Sequence, residues 1–348
     1  FDFICFDEGF DPWLGIVGKG EMQRVMTRDK FYPAKKGKKE TCRVQVPDYT
    51  GLAMDQYISM LETANPMHRL WSDGRWLKVQ LSKGCYWHQC AFCDVGLDYI
   101  GCYGQPDPVQ AVDAMVRMKQ ETGIRSFHFT DEALAPALVR GICKELLKRN
   151  EVIVWWGNIR FDEGFDKGLV ELMSDAGCIG VSAGLECADD RLLKLMNKGI
   201  ALETARSICE LLSDNEILVH VYLMYGFPTQ TAEETLDALE FVRQLYEDGL
   251  VQSSYWHRFA LTVHSPIAKS PEKFGIKLLA KQDKERLFAL NEIGFVDPDA
   301  PDHDALGEGL RIANYNFMRG AGLDMPVESW FEEEGEGVDD DAEEDEER

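Results

Sequence analysis

Six short apolar runs alternate with amphipathic helical stretches between Trp76 and Val263, and few architectures accommodate that rhythm. Leu77–Leu81 reads as the first strand. A helix from about Pro108 to Thr122 places Val109, Val112 and Val116 on one face, with Gly123 as its cap. Ser126–Thr130 reads as the second strand, and Leu138, Ile142 and Leu146 mark the helix after it. Val152–Trp156, Ile179–Ala183 and Ile217–Tyr225 supply strands three to five, separated by helices around Leu169–Met173, Arg191–Met196 and Leu202–Leu212. Thr231-Ala-Glu-Glu234 is a capping box that opens a helix to about Glu247, and Trp256–Val263 can be the sixth strand. Strands this apolar are buried on both faces. That pattern predicts an α/β chain with a parallel sheet, doubly wound or closing toward a barrel.

In such sheets the chemistry sits at the carboxyl ends of the strands. The unusual residues fall there. A cysteine-rich loop follows strand one, Asp131 and Glu132 follow strand two, and Asn158 and Arg160 follow strand three. Glu186 follows strand four, and Gly226 and Pro228 follow strand five. Trp155, Trp156 and Tyr222 are expected to pack the barrel. Within the loop, Cys85 and Cys90 are separated by four residues, and Cys90 and Cys93 by two. Thiolates so close can hold one metal centre together. Three rather than four would leave one iron of a [4Fe–4S] cluster open to a substrate or cofactor. The rival is a tetrahedral zinc site completed by His88 or Cys102. Cys143 and Cys209 fall on helices and Cys178 near a strand start, where a free thiol acts as a small apolar residue.

The ten cysteines in 348 residues are unevenly placed, and with no secretory pattern they suit a cytoplasmic protein rather than a disulfide scaffold. No apolar run is long enough to span a membrane. Net charge is −24, and the segment Glu332–Arg348, with twelve acids and one arginine, reads as a disordered acidic tail. The remainder shows no basic stripe, so nucleic acid is not the expected partner. The chain opens on Phe1 inside the apolar stretch Phe1–Cys5, which reads as the end of a buried strand and the start of a fragment.

These motifs together resemble the radical SAM superfamily, over about residues 76–275. They are the cysteine triplet with Phe92 before its last member, Phe129-Thr-Asp-Glu132, Gly184–Gly199 and the fifth-strand segment Leu223–Glu234. Two details depart from the family pattern. Its usual gap between the first two cysteines is three residues, and its usual Gly-Gly-Glu is here Thr130-Asp131-Glu132. Pro47–Leu52 and Phe259–Ile276 are similar to the members that carry an amino-terminal cobalamin-binding domain. Residues 1–20 resemble the last strand and helix of such a domain, with Asp7–Phe10 at its end. Residues 21–75 are then a linker, 276–331 a carboxyl-terminal extension and 332–348 the acidic tail.

The resemblance implies a partial (β/α)6 TIM-like barrel. Cys85, Cys90 and Cys93 would hold a [4Fe–4S] cluster, and S-adenosylmethionine (SAM) would chelate its open iron. Phe92 would lie against the adenine, and Asp131 or Glu132 would accept from the SAM ammonium. Glu186 would bind the ribose or the methionine end, Arg160 or Lys198 the carboxylate, and Gly226 would let the backbone approach the adenine. Reductive cleavage would give a 5′-deoxyadenosyl radical for methyl transfer, rearrangement, or modification of a peptide or natural product. Expected partners are a small-molecule or peptide substrate and an electron donor such as flavodoxin or ferredoxin. Cobalamin joins them if an amino-terminal domain is present in the full protein. The alternatives are an RNA-modifying methylthiotransferase-like enzyme and a non-enzymatic cluster or zinc module.

Overall fold

The computed structural model describes residues 1–6, 9–33, 46–56, 76–279 and 291–331. Parts of the linker, the first two residues of Asp7–Phe10 and the acidic tail lie outside them. Near the start, β1 (Phe3–Cys5), β2 (Val25–Thr27) and β3 (Phe31–Tyr32) form a small antiparallel sheet, with α1 (Phe10–Ile16) between β1 and β2. The expectation of a buried strand at Phe1–Cys5 is corrected here. All three residues of β1 are exposed, and β1 lies at the edge of its three-stranded sheet, paired with β2.

The body of the molecule is one six-stranded sheet. Its strands are β4 (Leu77–Val79), β5 (Ser126–Phe129), β6 (Val154–Ile159), β7 (Cys178–Glu186), β8 (Leu218–Tyr225) and β9 (Ser253–Arg258). They lie in sequence order and every neighbouring pair is parallel. A parallel neighbour requires a crossover, and the helices supply it. They are α2 (Asp98–Gly101), α3 (Pro108–Thr122), α4 (Pro136–Arg149), α5 (Lys167–Asp175), α6 (Asp190–Leu195), α7 (Leu202–Asp214) and α8 (Ala232–Glu247). The order never closes back on β4, which makes a partial TIM-like barrel. After β9 come α9 (Pro266–Lys269), the short pair β10 (Lys277–Leu278) and β11 (Phe295–Val296), and α10 (His303–Phe317), whose buried side packs outside β9.

The register decides which side chains face outward. Phe129, Gly157, Val181 and Val219 are paired in one row, and Ile159, Ala183 and Val221 in the next. Paired positions share a face. These rows, with Phe127 and Trp155, are fully or nearly buried against the apolar stripes of the helices, among them Met115, Leu138, Leu169 and Ile208. The core therefore lies between sheet and helices, and the opposite, inner face is left for other purposes. Helix ends follow from local chemistry. Asp107, Asp166 and Asp189 accept backbone N–H bonds as N-caps, the Thr231/Glu234 capping box forms on α8, and Gly123 ends α3 with φ +73°.

Candidate active site

The cysteine loop is held at two places. At its start the Asp131 carboxylate accepts from the backbone N–H groups of Leu81 (3.0 Å) and Ser82 (2.5 Å), and from the Ser82 hydroxyl (2.5 Å). Gly84 sits at φ +68°, and a Cβ there would lie 2.7 Å from the Cys102 carbonyl, so the turn requires glycine. Downstream, the loop is stapled to the segment after α6. Trp87 Nε1 donates to the Asn197 carbonyl (2.8 Å), Asn197 Nδ2 to the Gln89 carbonyl (3.0 Å) and the Ala91 N–H to the Met196 carbonyl (2.7 Å). The Trp87 ring lies so close to Gly199 that a Cβ would stand 2.1 Å from Cζ2. The resemblance segment Gly184–Gly199 thus braces the loop that carries the thiols.

Cys85, Cys90 and Cys93 line one cavity of about 210 Å3, together with Phe92, Glu132, Arg160, Glu186 and Lys198. His88 also lines it; its backbone has φ +37° and one ring nitrogen lies 2.9 Å from the Cys85 carbonyl oxygen. Glu186 is the last residue of β7, past a register shift, and its φ of +57° is strained for a side chain of that size. Lys198 Nζ donates to Glu186 Oε1 at 2.5 Å, with both side chains about 10% exposed. The pair fills the space above Gly184, where a Cβ would come within 2.2 Å of Glu186 Oε1. Arg160 is 4% exposed, gives one guanidinium bond to the Lys198 carbonyl and stacks 4.8 Å from the Trp87 ring. Its Nε is buried without a partner among the described residues.

The electrostatics favour a thiolate. A hydrogen bond from the Cys93 thiol, followed by the charges of Lys198 and Arg160, outweighs burial and holds the Cys90 thiol below its ordinary range. Lys198 stays protonated: burial opposes its charge, but Glu186 and then Cys90 outweigh it. By contrast, burial pushes Cys143 and Cys209 up to about 12 and Cys178 up as well, so these remain inert apolar thiols. The residues fit a cluster. Three thiols and two cations surround one cavity, while among the described residues no three His, Cys, Asp or Glu side chains converge tightly enough for a single ion. Three thiols lining one cavity, with two cations to offset their charge, are a donor set that suits an iron–sulfur cluster.

Two of the residues singled out in the sequence are placed elsewhere. Asp131 is 0% exposed and fully engaged with the loop backbone, while the neighbouring Glu132 reaches the cavity. Burial, and then Asp131, raise the Glu132 carboxyl above its usual range. Gly226, at φ +74°, lines a second cavity of about 710 Å3 with Arg258, Phe259 and His303, and the His303 ring covers it. Conversely, Tyr222 and Ser182 line the thiol cavity, and Asn158 joins them. The expectation that Tyr222 packs the barrel is corrected by this position. Its neighbours His220 and Met224 at alternate positions carry the period-two signal that could have marked a distinct inner row.

A family model described as Radical SAM superfamily matches residues 79–242. The anaerobic magnesium-protoporphyrin IX monomethyl ester cyclase of Rubrivivax gelatinosus is 27% identical, over 90% of this chain and 58% of that protein. An uncharacterized methyltransferase of Pyrococcus horikoshii is 24% identical, over 66% of this chain and 47% of its own length. The chain spans about half the length of the curated relatives it matches. The solved structure of the cobalamin-dependent S-adenosylmethionine radical enzyme OxsB, with aqua-cobalamin and S-adenosylmethionine bound, shares the fold. It superposes with a TM-score of 0.58 at 14% identity, covering 89% of this chain and 50% of that one.

Proposed function

From the radical SAM domain that this chain carries over residues 79–242, we propose that it is an enzyme that reductively cleaves S-adenosylmethionine to modify an unactivated carbon. The observation that carries the reading is the gathering of Cys85, Cys90 and Cys93 in one cavity with Arg160, Glu186 and Lys198. When bound, a [4Fe–4S] cluster supplies one electron to the sulfonium, giving methionine and a 5′-deoxyadenosyl radical. The remaining work belongs to the protein. The three thiolates hold the cluster, and Lys198 and Arg160 offset their negative charge. Arg160 takes the SAM carboxylate in preference to Lys198, since Lys198 is already paired with Glu186 and Arg160 keeps a spare buried N–H. Glu132 accepts from the SAM ammonium, and Phe92 covers the adenine. Glu186 accepts from the ribose or the methionine end with its second oxygen. The absence of a Cβ at Gly184 makes room for the Glu186–Lys198 pair at the edge of the cavity.

The reaction that follows is methyl transfer, rearrangement, or modification of a peptide or natural product. The donor of the electron is a small reductant such as flavodoxin or ferredoxin, in keeping with a cytoplasmic protein. No helix among the described residues is long and apolar enough to cross a membrane. Cobalamin would serve as methyl carrier where the full protein holds a domain for it.

Iron and sulfide analysis with electron paramagnetic resonance of the reduced, reconstituted protein tests the reading. The expected result is four irons per chain and a cluster signal that shifts on adding SAM, with both lost in Cys85→Ala, Cys90→Ala and Cys93→Ala. Zinc held in place of iron after reconstitution, or a signal indifferent to SAM, would overturn it.

A further inference from the structure

The inner face of the sheet offers more than the SAM cavity. Strand pairing places Trp156, Gly180 and Leu218 in one row, Asn158, Ser182, His220 and Ser253 in the next, and Gly184, Tyr222 and Tyr255 above them. Met224 and His257 complete the upper end. A barrel interior is ordinarily filled by branched aliphatic side chains. Here, apart from Val154, Leu218 and Met224, the paired inner positions of β5–β9 carry rings, hydroxyls, amides or glycine. The rings run continuously: His220 to Tyr222 at 4.6 Å edge to face, Tyr222 to His257 at 6.1 Å, and His257 to Tyr255 at 4.4 Å. Tyr222 is 37% exposed and Tyr255 55%, so their faces are not spent on the protein's own core. Tyr222 also lines the thiol cavity, which makes the row continuous with the SAM site.

We infer that this row on β8 and β9 is the substrate-recognition surface and that it selects a flat, uncharged conjugated ring, an inference that rests on the SAM-cleavage reading. Exposed ring faces at these separations leave room for an offset-stacked or edge-on partner, which aliphatic ligands exploit poorly. The buried Ser182 hydroxyl, without a partner among the described residues, gives the ring edge a hydrogen-bonding group. The row itself is uncharged at neutral pH. Burial and the neighbouring His257 keep His220 neutral, with its pKa near 4, and burial lowers His257 against the opposing influence of Glu186. The cations on this face are Lys78 on the far strand and the rim group Arg160 and Lys198, so an anionic ring would find no partner along the row.

The test uses lumichrome, a fluorescent uncharged three-ring imide, with hexahydrophthalimide as a competitor that has the same imide edge and no aromatic face. The reconstituted protein should quench lumichrome saturably, and a hundredfold excess of hexahydrophthalimide should leave the signal in place. Tyr255→Leu should weaken binding at least tenfold and Tyr255→Phe should restore it, which separates ring stacking from misfolding. Absence of saturable quenching, equal competition by hexahydrophthalimide, or unchanged binding by Tyr255→Leu overturns the inference. Formation of 5′-deoxyadenosine is followed in the same samples. Tyrosine-dependent lumichrome binding without SAM cleavage supports the ring surface and counts against the cleavage reading.

Discussion

Glu186 and Lys198 show how much one buried pair can organise. Their 2.5 Å contact is shielded from water, and each side chain would be an uncompensated charge without the other. Lys198→Met should therefore destabilise the cluster-free protein by about 3–5 kcal/mol in urea unfolding, while the double change Glu186→Leu with Lys198→Met should recover most of it. A single-variant loss below about 1 kcal/mol would mean that the pair is solvated and weak. Gly184→Ala tests the same pair sterically, because the added methyl displaces the Glu186 carboxylate. Equilibrium dialysis should find SAM binding to the reconstituted variant at least tenfold weaker, and unchanged binding would show that the pair tolerates displacement. At this scale the cysteines were legible because three thiols in nine residues need no tertiary information. The division of labour between Asp131 and Glu132 was not. Adjacent carboxylates look alike in a sequence, and only the folded loop shows Asp131 spent on the N–H groups of Leu81 and Ser82.

At the scale of elements, strand β8 carries a titration that the sheet imposes. Burial, and to a lesser degree His257, lower the His220 pKa from an ordinary 6.5 to about 4. A depressed folded-state pKa means that the unfolded chain binds the extra proton, so His220 contributes stability that is fully present above pH 6.5 and lost as pH falls through 4. The loss across that window is on the order of 3 kcal/mol. His220→Gln should flatten the urea-stability profile between pH 6.5 and 4, and a slope identical to the parent would place the pH dependence elsewhere. The capping box of α8 gives a smaller effect: Thr231→Ala should cost about 1 kcal/mol by thermal unfolding. No change would mean that water satisfies the helix end equally well.

Element types were readable from periodicity, yet boundaries moved: the fourth strand runs to Glu186 rather than ending at Ala183, and two others shifted further. The third strand is Val154–Ile159, not Val152–Trp156, and the sixth is Ser253–Arg258, not Trp256–Val263. In the third strand the apolar run starts before the paired residues and pairing goes on into Gly157 and Asn158, and in the sixth the run continues past the paired residues, since sheet hydrogen bonding rather than hydropathy sets where a strand ends. The inner row was hidden for a related reason. Aromatic side chains count as apolar in a strand pattern, and a run such as Leu218–Tyr225 reads as buried on both faces although Tyr222 faces solvent.

For the molecule as a whole, the parallel order β4 to β9 follows from the strand–helix alternation, and it gathers the strand ends and the thiol loop on one rim. The site is therefore a consequence of topology, with residues as distant in sequence as Cys85 and Tyr222 facing one cavity. What the alternation could not supply is the surroundings of the barrel, where short strands such as β1–β3 and β10–β11 carry too little pattern to be read. The central claim is that this cavity performs reductive SAM cleavage. Its most direct test is anaerobic: the reconstituted protein, SAM and a strong reductant, with 5′-deoxyadenosine measured by mass spectrometry beside the Cys85→Ala, Cys90→Ala, Cys93→Ala triple variant. The account predicts 5′-deoxyadenosine from the parent and none from the variant; equal yields from both, or none from a parent with full cluster and bound SAM, would contradict it.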